Sequence, residues 1–138
     1  MIKIGITGQS GFIGSHLYNN LGFKKNRFKR VVFKKEYFKN EKKLTNFVNS
    51  CDVVIHLAAV IKNKDERIIQ DINFDLMNKL LTSHEKSHSK PVIFFASSTQ
   101  ENSETVYGLS KKELSKSLEE WSEKQKAFSR VFIIPNVY

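Results

Sequence analysis

The sequence predicts an α/β fold, a doubly wound parallel sheet of about five strands with helices on both faces, on three observations. The chain opens with a short apolar run, Ile2 to Thr7, that leads into three glycines spaced G-x-x-G-x-x-G and then into apolar residues three and four apart. Segments of strand and helix character then alternate along the rest of the chain. Two of the strand segments, Asp52 to Ala59 and Val92 to Ala96, are apolar almost without interruption, as strands buried on both faces are.

The opening run is a first strand, and Gly8, Gly11 and Gly14 turn the chain into a first helix over Phe12 to Leu21. The physical use of such a turn is anion binding, because free backbone N–H groups and the positive end of the helix dipole converge there. Gly22 is placed to end the helix as a C-cap. Arg30 to Phe33 reads as the second strand, and Glu41 to Ser50, with Leu44, Phe47 and Val48 at helical spacing, as a short crossover helix. The run from Asp52 to Ala59 is the central strand. A longer helix follows from about Asp65 to Glu85, with Ile68, Ile69, Ile72, Leu76 and Leu80 on one side. Pro91 opens the fourth strand, Val92 to Ala96. Tyr107 to Phe128 is the longest helix, carrying Leu114, Leu118 and Trp121, and Val131 to Ile134 is the last strand. Right-handed crossovers give the strand order 2-1-3-4-5, with the ligand crevice at the carboxyl ends of strands 1 and 3. Motifs at the strand ends then face one another.

The composition removes several function classes. A chain of 138 residues without repeats or a low-complexity linker reads as one domain. Nothing approaches the roughly 18 apolar residues of a membrane span, and no leader precedes the first strand, so a cytoplasmic protein with no membrane partner is expected. The single cysteine, Cys51, excludes an internal disulfide and sits where a buried thiol is commonplace. The net charge of +9 raises nucleic-acid binding. Apart from Lys24, Lys25, Arg27, Lys29, Arg30, Lys34 and Lys35, however, the basic residues are scattered and no nucleic-acid motif accompanies them. A lysine-rich composition or a phosphorylated ligand accounts for the excess. His16, His56, His84 and His88 share no metal-ligand spacing with a carboxylate or the cysteine, so no metal site is expected.

Chemistry is carried by Tyr107 and Lys111, four apart and therefore on one helix face. A nearby ammonium favours the phenolate and draws a tyrosine pKa near 10 toward neutrality. Such a tyrosine passes a proton to or from a carbonyl or alcohol oxygen. Ser97 and Ser98 end the strand just before that helix, where a hydroxyl reaches into the crevice, although Ser-Ser-Thr is also good turn chemistry.

Thr7-Gly8-Gln9-Ser10-Gly11-Phe12-Ile13-Gly14, His56-Leu57-Ala58-Ala59, Asn73, Ser97-Ser98 and Tyr107-x-x-x-Lys111 stand in the order found in the extended short-chain dehydrogenase/reductases. The chain resembles that nucleotide-sugar epimerase/dehydratase family over essentially its whole length. The resemblance implies a Rossmann-type dinucleotide-binding domain over residues 1–138. It implies that Gly8, Gly11 and Gly14 hold the cofactor pyrophosphate within a turn completed by Ser10, Phe12 and Ile13. Leu57, Ala58 and Ala59 would line the nicotinamide ribose, with Asn73 supporting the site from behind. Tyr107 would be the acid/base, Lys111 would bind that ribose and lower the tyrosine pKa, and Ser98 would orient the substrate oxygen. Asn136 would contact the phosphate side of the substrate. The implied activity is 4-keto reduction or epimerisation of a nucleotide-linked sugar in polysaccharide precursor synthesis. The alternative is a dinucleotide-binding module without catalysis. The family also implies a homodimer paired through the Tyr107 helix, with association through uncovered apolar surface as the other possibility.

Departures from the family pattern refine these expectations. Where NAD-preferring members end the second strand with an acid, this chain has Phe33-Lys34-Lys35. Lysines suit a 2′-phosphate, which makes NADP the first choice and NAD the second. Thr99-Gln100 follows Ser98 in place of the Asp-Glu pair of the dehydratase branch, which disfavours dehydration. The short interval from Ser98 to Tyr107 resembles the reductase domain of capsular polysaccharide enzymes. Ile133 stands where an arginine is common, and the family's substrate-binding region after Asn-Val-Tyr is expected to be absent from this chain.

Overall fold

The structure, a computed structural model, describes residues 1–135 of the 138. Five strands, β1 (Ile2–Thr7), β2 (Phe28–Val31), β3 (Val53–His56), β4 (Val92–Ser98) and β5 (Ser129–Ile134), alternate with four helices. These are α1 (Phe12–Gly22), α2 (Glu41–Asn49), α3 (Glu66–Lys86) and α4 (Val106–Gln125). Two 3-10 turns, Lys35–Lys39 and Thr99–Asn102, follow β2 and β4. Among the described residues no helix is long and apolar enough to cross a membrane.

All strand pairs are parallel and the order is β2-β1-β3-β4-β5, as the alternation predicts. The winding reverses once, between β1 and β3. Right-handed crossovers therefore set α1 on one face and the other three helices on the opposite one. The larger core lies under α2, α3 and α4, where Leu44, Phe47, Met77, Leu80, Leu114 and Leu118 cover Val54, Ile93 and Phe95. The smaller one joins Leu17 and Leu21 of α1 to Ile4, Ile6, Val53 and Ile55. Three helices begin on polar caps. Asn40 Oδ1 accepts from the Lys43 amide, Asp65 Oδ1 from the Arg67 amide and Thr105 Oγ1 from the Gly108 amide.

Two local expectations are corrected. The second strand is Phe28–Val31, not Arg30 to Phe33, because β1 takes its register from Ile2 opposite Phe28. Phe33 has left the sheet by then, its ring edge-on to Tyr37, Phe38 and Phe47 at 5.7, 5.3 and 5.0 Å. Gly22 is the last helical residue rather than a left-handed cap, and Phe23 caps α1 with ordinary right-handed backbone. A Cβ on Gly22 would lie 2.8 Å from Arg30 Nη1. The glycine makes room for that guanidinium, which lies 4.4 Å from the Tyr18 ring and donates to the Tyr18 carbonyl at 3.2 Å.

Candidate active site

The carboxyl ends of β1, β3 and β4 bring the sequence motifs to one edge of the sheet. Gly8 follows β1 with φ +76°, a conformation that side chains rarely adopt, and its carbonyl accepts the Gly11 amide at 3.0 Å. A Cβ on Gly14 would stand 2.1 Å from that same carbonyl, so α1 can approach the turn only with glycine there. Gly11 caps α1 without a side-chain hydrogen bond, and the first helical turn carries no acid. Its leading amides are therefore left to an anion, and Gly11, Phe12 and Ile13 are exposed around them. A dinucleotide pyrophosphate fits such a cradle: among the described residues the Phe12 and Ile13 amides have no hydrogen-bond acceptor, and the first helical turn carries no carboxylate. Ser10 is exposed on the same turn.

Thr7 ties this turn to the end of β3. Its Oγ1 lies 2.7 Å from His56 Nδ1 and accepts the Ala58 amide at 3.3 Å, while its carbonyl accepts the Leu57 amide at 3.1 Å. His56 is packed rather than solvated, stacked on Phe95 at 6.0 Å. Burial first, and the Lys111 charge second, push its imidazole down to about 3. It stays neutral at physiological pH and serves as an architectural partner of Thr7. Beyond Ala59 the chain is fastened by Asn73 of α3, whose Oδ1 accepts the Val60 amide at 2.7 Å and whose Nδ2 donates to the Val60 carbonyl at 2.9 Å. Asn73 thus fastens the loop that follows Leu57, Ala58 and Ala59.

The two serines at the end of β4 part company, because successive strand residues point to opposite faces. Ser97 is buried and donates to Glu101 Oε2 at 2.6 Å. Ser98 lies on the other face, and its Oγ accepts the Gln100 amide at 3.1 Å, leaving the hydroxyl proton free to donate. Glu101, the nearest carboxylate after Ser98 in the chain, also accepts from Ser115 of α4 at 3.4 Å. It is engaged in fastening the 99–102 turn.

Tyr107 and Lys111 lie in the first turns of α4, with Lys111 Nζ 5.7 Å from the Tyr107 ring centre and 4.8 Å from that of Phe95. Lys111 is only 6% exposed and donates to the Ala96 carbonyl at 3.0 Å. Burial draws its ammonium down to about 8. Burial also pushes the Tyr107 phenol above its ordinary value, which corrects the expectation of a lowered one. Removal of the phenol from water is the cause, and the ammonium is turned to the strand-end carbonyl.

Other expected residues are placed as follows. Lys34 and Lys35 are exposed where β2 runs into the 35–39 turn. Phe33, just before them, donates its amide to Gln9 Oε1 at 3.1 Å, a link across the turn that the sequence did not announce. Asn136 lies outside the described residues. Cys51 is buried and its thiol is pushed up to about 12, chiefly by burial, so it is no nucleophile. Among the described residues no group of His, Cys, Asp and Glu could hold a metal ion. Two surface cavities, of about 400 and 410 Å³, flank α2, and of the expected site residues only Lys34 lines either. Gly108, not anticipated from sequence, completes the site: a Cβ there would stand 2.0 Å from the Gln100 carbonyl.

Residues 4–138 match the model of the NAD dependent epimerase/dehydratase family. No curated protein matches the chain at a significant level. Among solved structures it is similar to RMD from Pseudomonas aeruginosa complexed with NADPH, with a TM-score of 0.85 and 19% identity over 99% of this chain and 54% of that one. The capsular polysaccharide assembling protein CapF from Staphylococcus aureus matches with a TM-score of 0.73 and 25% identity, over 99% of this chain and 35% of that one. UDP-glucuronic acid 4-epimerase from Bacillus cereus in complex with NAD matches with a TM-score of 0.78 and 21% identity, over 99% and 58%. The chain thus spans between 35% and 58% of the length of these structures, and at such identities the likeness shows the fold.

Proposed function

The chain belongs to the NAD dependent epimerase/dehydratase family, and on that premise we propose that it is the dinucleotide-binding part of an NADP(H)-dependent oxidoreductase acting on a nucleotide-linked sugar. The reaction is reduction of a 4-keto group or epimerisation, with polysaccharide precursors as the destination. The observation that carries the proposal is Lys111 at the carboxyl end of β4, buried, tethered to the Ala96 carbonyl and with its ammonium 5.7 Å from the Tyr107 ring centre; Ser98, whose hydroxyl proton is free, ends the same strand.

When bound, the dinucleotide supplies hydride from its nicotinamide ring. This chain's own groups do the rest. The uncapped amides at the start of α1 take the pyrophosphate charge. Ser98 donates its proton to the substrate oxygen and fixes where that oxygen sits. Tyr107, a neutral phenol because burial raises its pKa, stands ready to protonate the same oxygen as it becomes an alkoxide. Lys111 stabilises the phenolate that is left, at a distance where burial strengthens the attraction. Glu101 is committed to Ser97 and Ser115, so no acid/base pair for removing water follows Ser98. Exposed Lys34 and Lys35 at the β2 end favour a 2′-phosphate, which supports NADP over NAD.

NADPH oxidation against a panel of keto-sugar nucleotides, run beside calorimetric binding of NADPH, tests the proposal. Turnover with at least one keto-sugar nucleotide is expected. Binding of NADPH with no turnover across the panel would replace it with a dinucleotide-binding module that does no chemistry.

A further inference from the structure

In sites that hold an unphosphorylated adenosine ribose, a carboxylate at the end of the second strand accepts from the ribose hydroxyls. Here that strand end is occupied in a different way. Gln9, the residue after Gly8, crosses the gap between the glycine turn and β2, and its Oε1 accepts the Phe33 amide at 3.1 Å. An amide N–H needs an acceptor, so the oxygen end of the Gln9 side chain faces the strand. The nitrogen end, with two donors, is left over, and among the described residues no protein acceptor is recorded for it. Lys34 and Lys35, both exposed, follow Phe33 in the chain.

We infer that Gln9 is a specificity-determining residue, one that selects a 2′-phosphorylated dinucleotide by offering amide donors on the Lys34 and Lys35 side of the turn where a carboxylate would favour free ribose hydroxyls. The inference rests on the NADP(H) reading above and adds a residue to it. The reasoning is a matter of donor and acceptor count. The 2′-hydroxyl and 3′-hydroxyl of a ribose are held best by a carboxylate, and the neutral Gln9 oxygen, which already accepts from Phe33, is a weaker acceptor than that. A phosphate asks for donors and positive charge, and Gln9 Nε2 and the two lysines supply both. The same hydrogen bond fixes the side chain in place, so its donors are held in advance rather than ordered on binding.

Gln9→Glu is the sharpest test, because Glu keeps the shape and the acceptor for Phe33 but exchanges the donors for a carboxylate oxygen. Dissociation constants for NADP⁺ and NAD⁺ are measured by calorimetry on the whole chain, wild type and variant, with thermal unfolding as the control on the fold. The wild type is expected to bind NADP⁺ about tenfold or more tighter than NAD⁺. In Gln9→Glu, NADP⁺ binding should weaken by about tenfold or more, with NAD⁺ binding unchanged or tighter. Gln9→Ala, which removes the donors without adding charge, should weaken NADP⁺ by a smaller factor and leave NAD⁺ within about threefold. A wild type that prefers NADP⁺ together with variants that keep its preference would overturn the role of Gln9 alone. A wild type that prefers NAD⁺ would overturn the NADP reading and this inference with it.

Discussion

Lys111 shows what a single residue in this site gives up in stability. Its side chain is 6% exposed and its one recorded hydrogen bond goes to the Ala96 carbonyl at 3.0 Å. Burial lowers its pKa from 10.5 to about 8. Between those values the unfolded chain still holds a proton that the folded chain has released, so stability rises with pH across that window. Below about 8 the full penalty of burying the charge is present. Lys111→Met should therefore raise the melting temperature at pH 7 by about 3–5 °C, with the gain vanishing above about pH 10.5, while turnover is lost. A variant that melts lower than wild type at pH 7 would mean that the bond to Ala96 outweighs the burial penalty. The pairing of Tyr107 with Lys111 was legible in the sequence, since four residues make one helical turn. The direction of the phenol's pKa was not, because it depends on the burial of Tyr107 and on a carbonyl 15 residues away claiming the ammonium.

The elements that carry the site hold one another through close contacts invisible to sequence patterns. The 99–102 turn meets α4 so closely that a Cβ on Gly108 would stand 2.0 Å from the Gln100 carbonyl and 2.5 Å from Ser103 Oγ. Gly108→Ala should destabilise the fold by about 2 kcal/mol in urea unfolding and lower turnover further than that loss alone explains, because Ser98 and Tyr107 sit at the two ends of the displaced turn. Unchanged stability would show that the turn yields freely. Ser98 rather than Ser97 was singled out through the family resemblance, and strand alternation assigns the two to opposite faces. Only one of them, Ser98, has its hydroxyl proton free. The second strand was misjudged by two residues because Val32 and Phe33 are as apolar as a strand requires, while Phe33 in fact turns into the ring cluster of Tyr37, Phe38 and Phe47. The glycine turn and the existence of β3 and β4 were legible, although β3 is shorter than expected, Val53–His56, and β4 longer, Val92–Ser98.

At the scale of the whole molecule the strand order followed from the alternation of elements and the handedness of crossovers, and the three-to-one division of helices follows from the single reversal of winding. That division leaves the α1 face of β4 and β5 thinly covered. Phe132 is 50% exposed there and rests edge-on against Phe94 at 5.2 Å. Apolar surface of this kind promotes association. Phe132→Lys should lower the weight-average mass measured by sedimentation at high protein concentration and shift the melting temperature by no more than about 2 °C. An unchanged mass would place self-association elsewhere or show that there is none. The proposed chemistry requires Tyr107 to act as the proton donor beside a bound dinucleotide. The most direct measurement compares Tyr107→Phe with wild type for NADPH affinity by calorimetry and for NADPH oxidation with the keto-sugar nucleotide that the wild type reduces. The account predicts affinity within about threefold of wild type and turnover lowered by about a hundredfold or more; a Phe variant that binds and turns over like the wild type would contradict it.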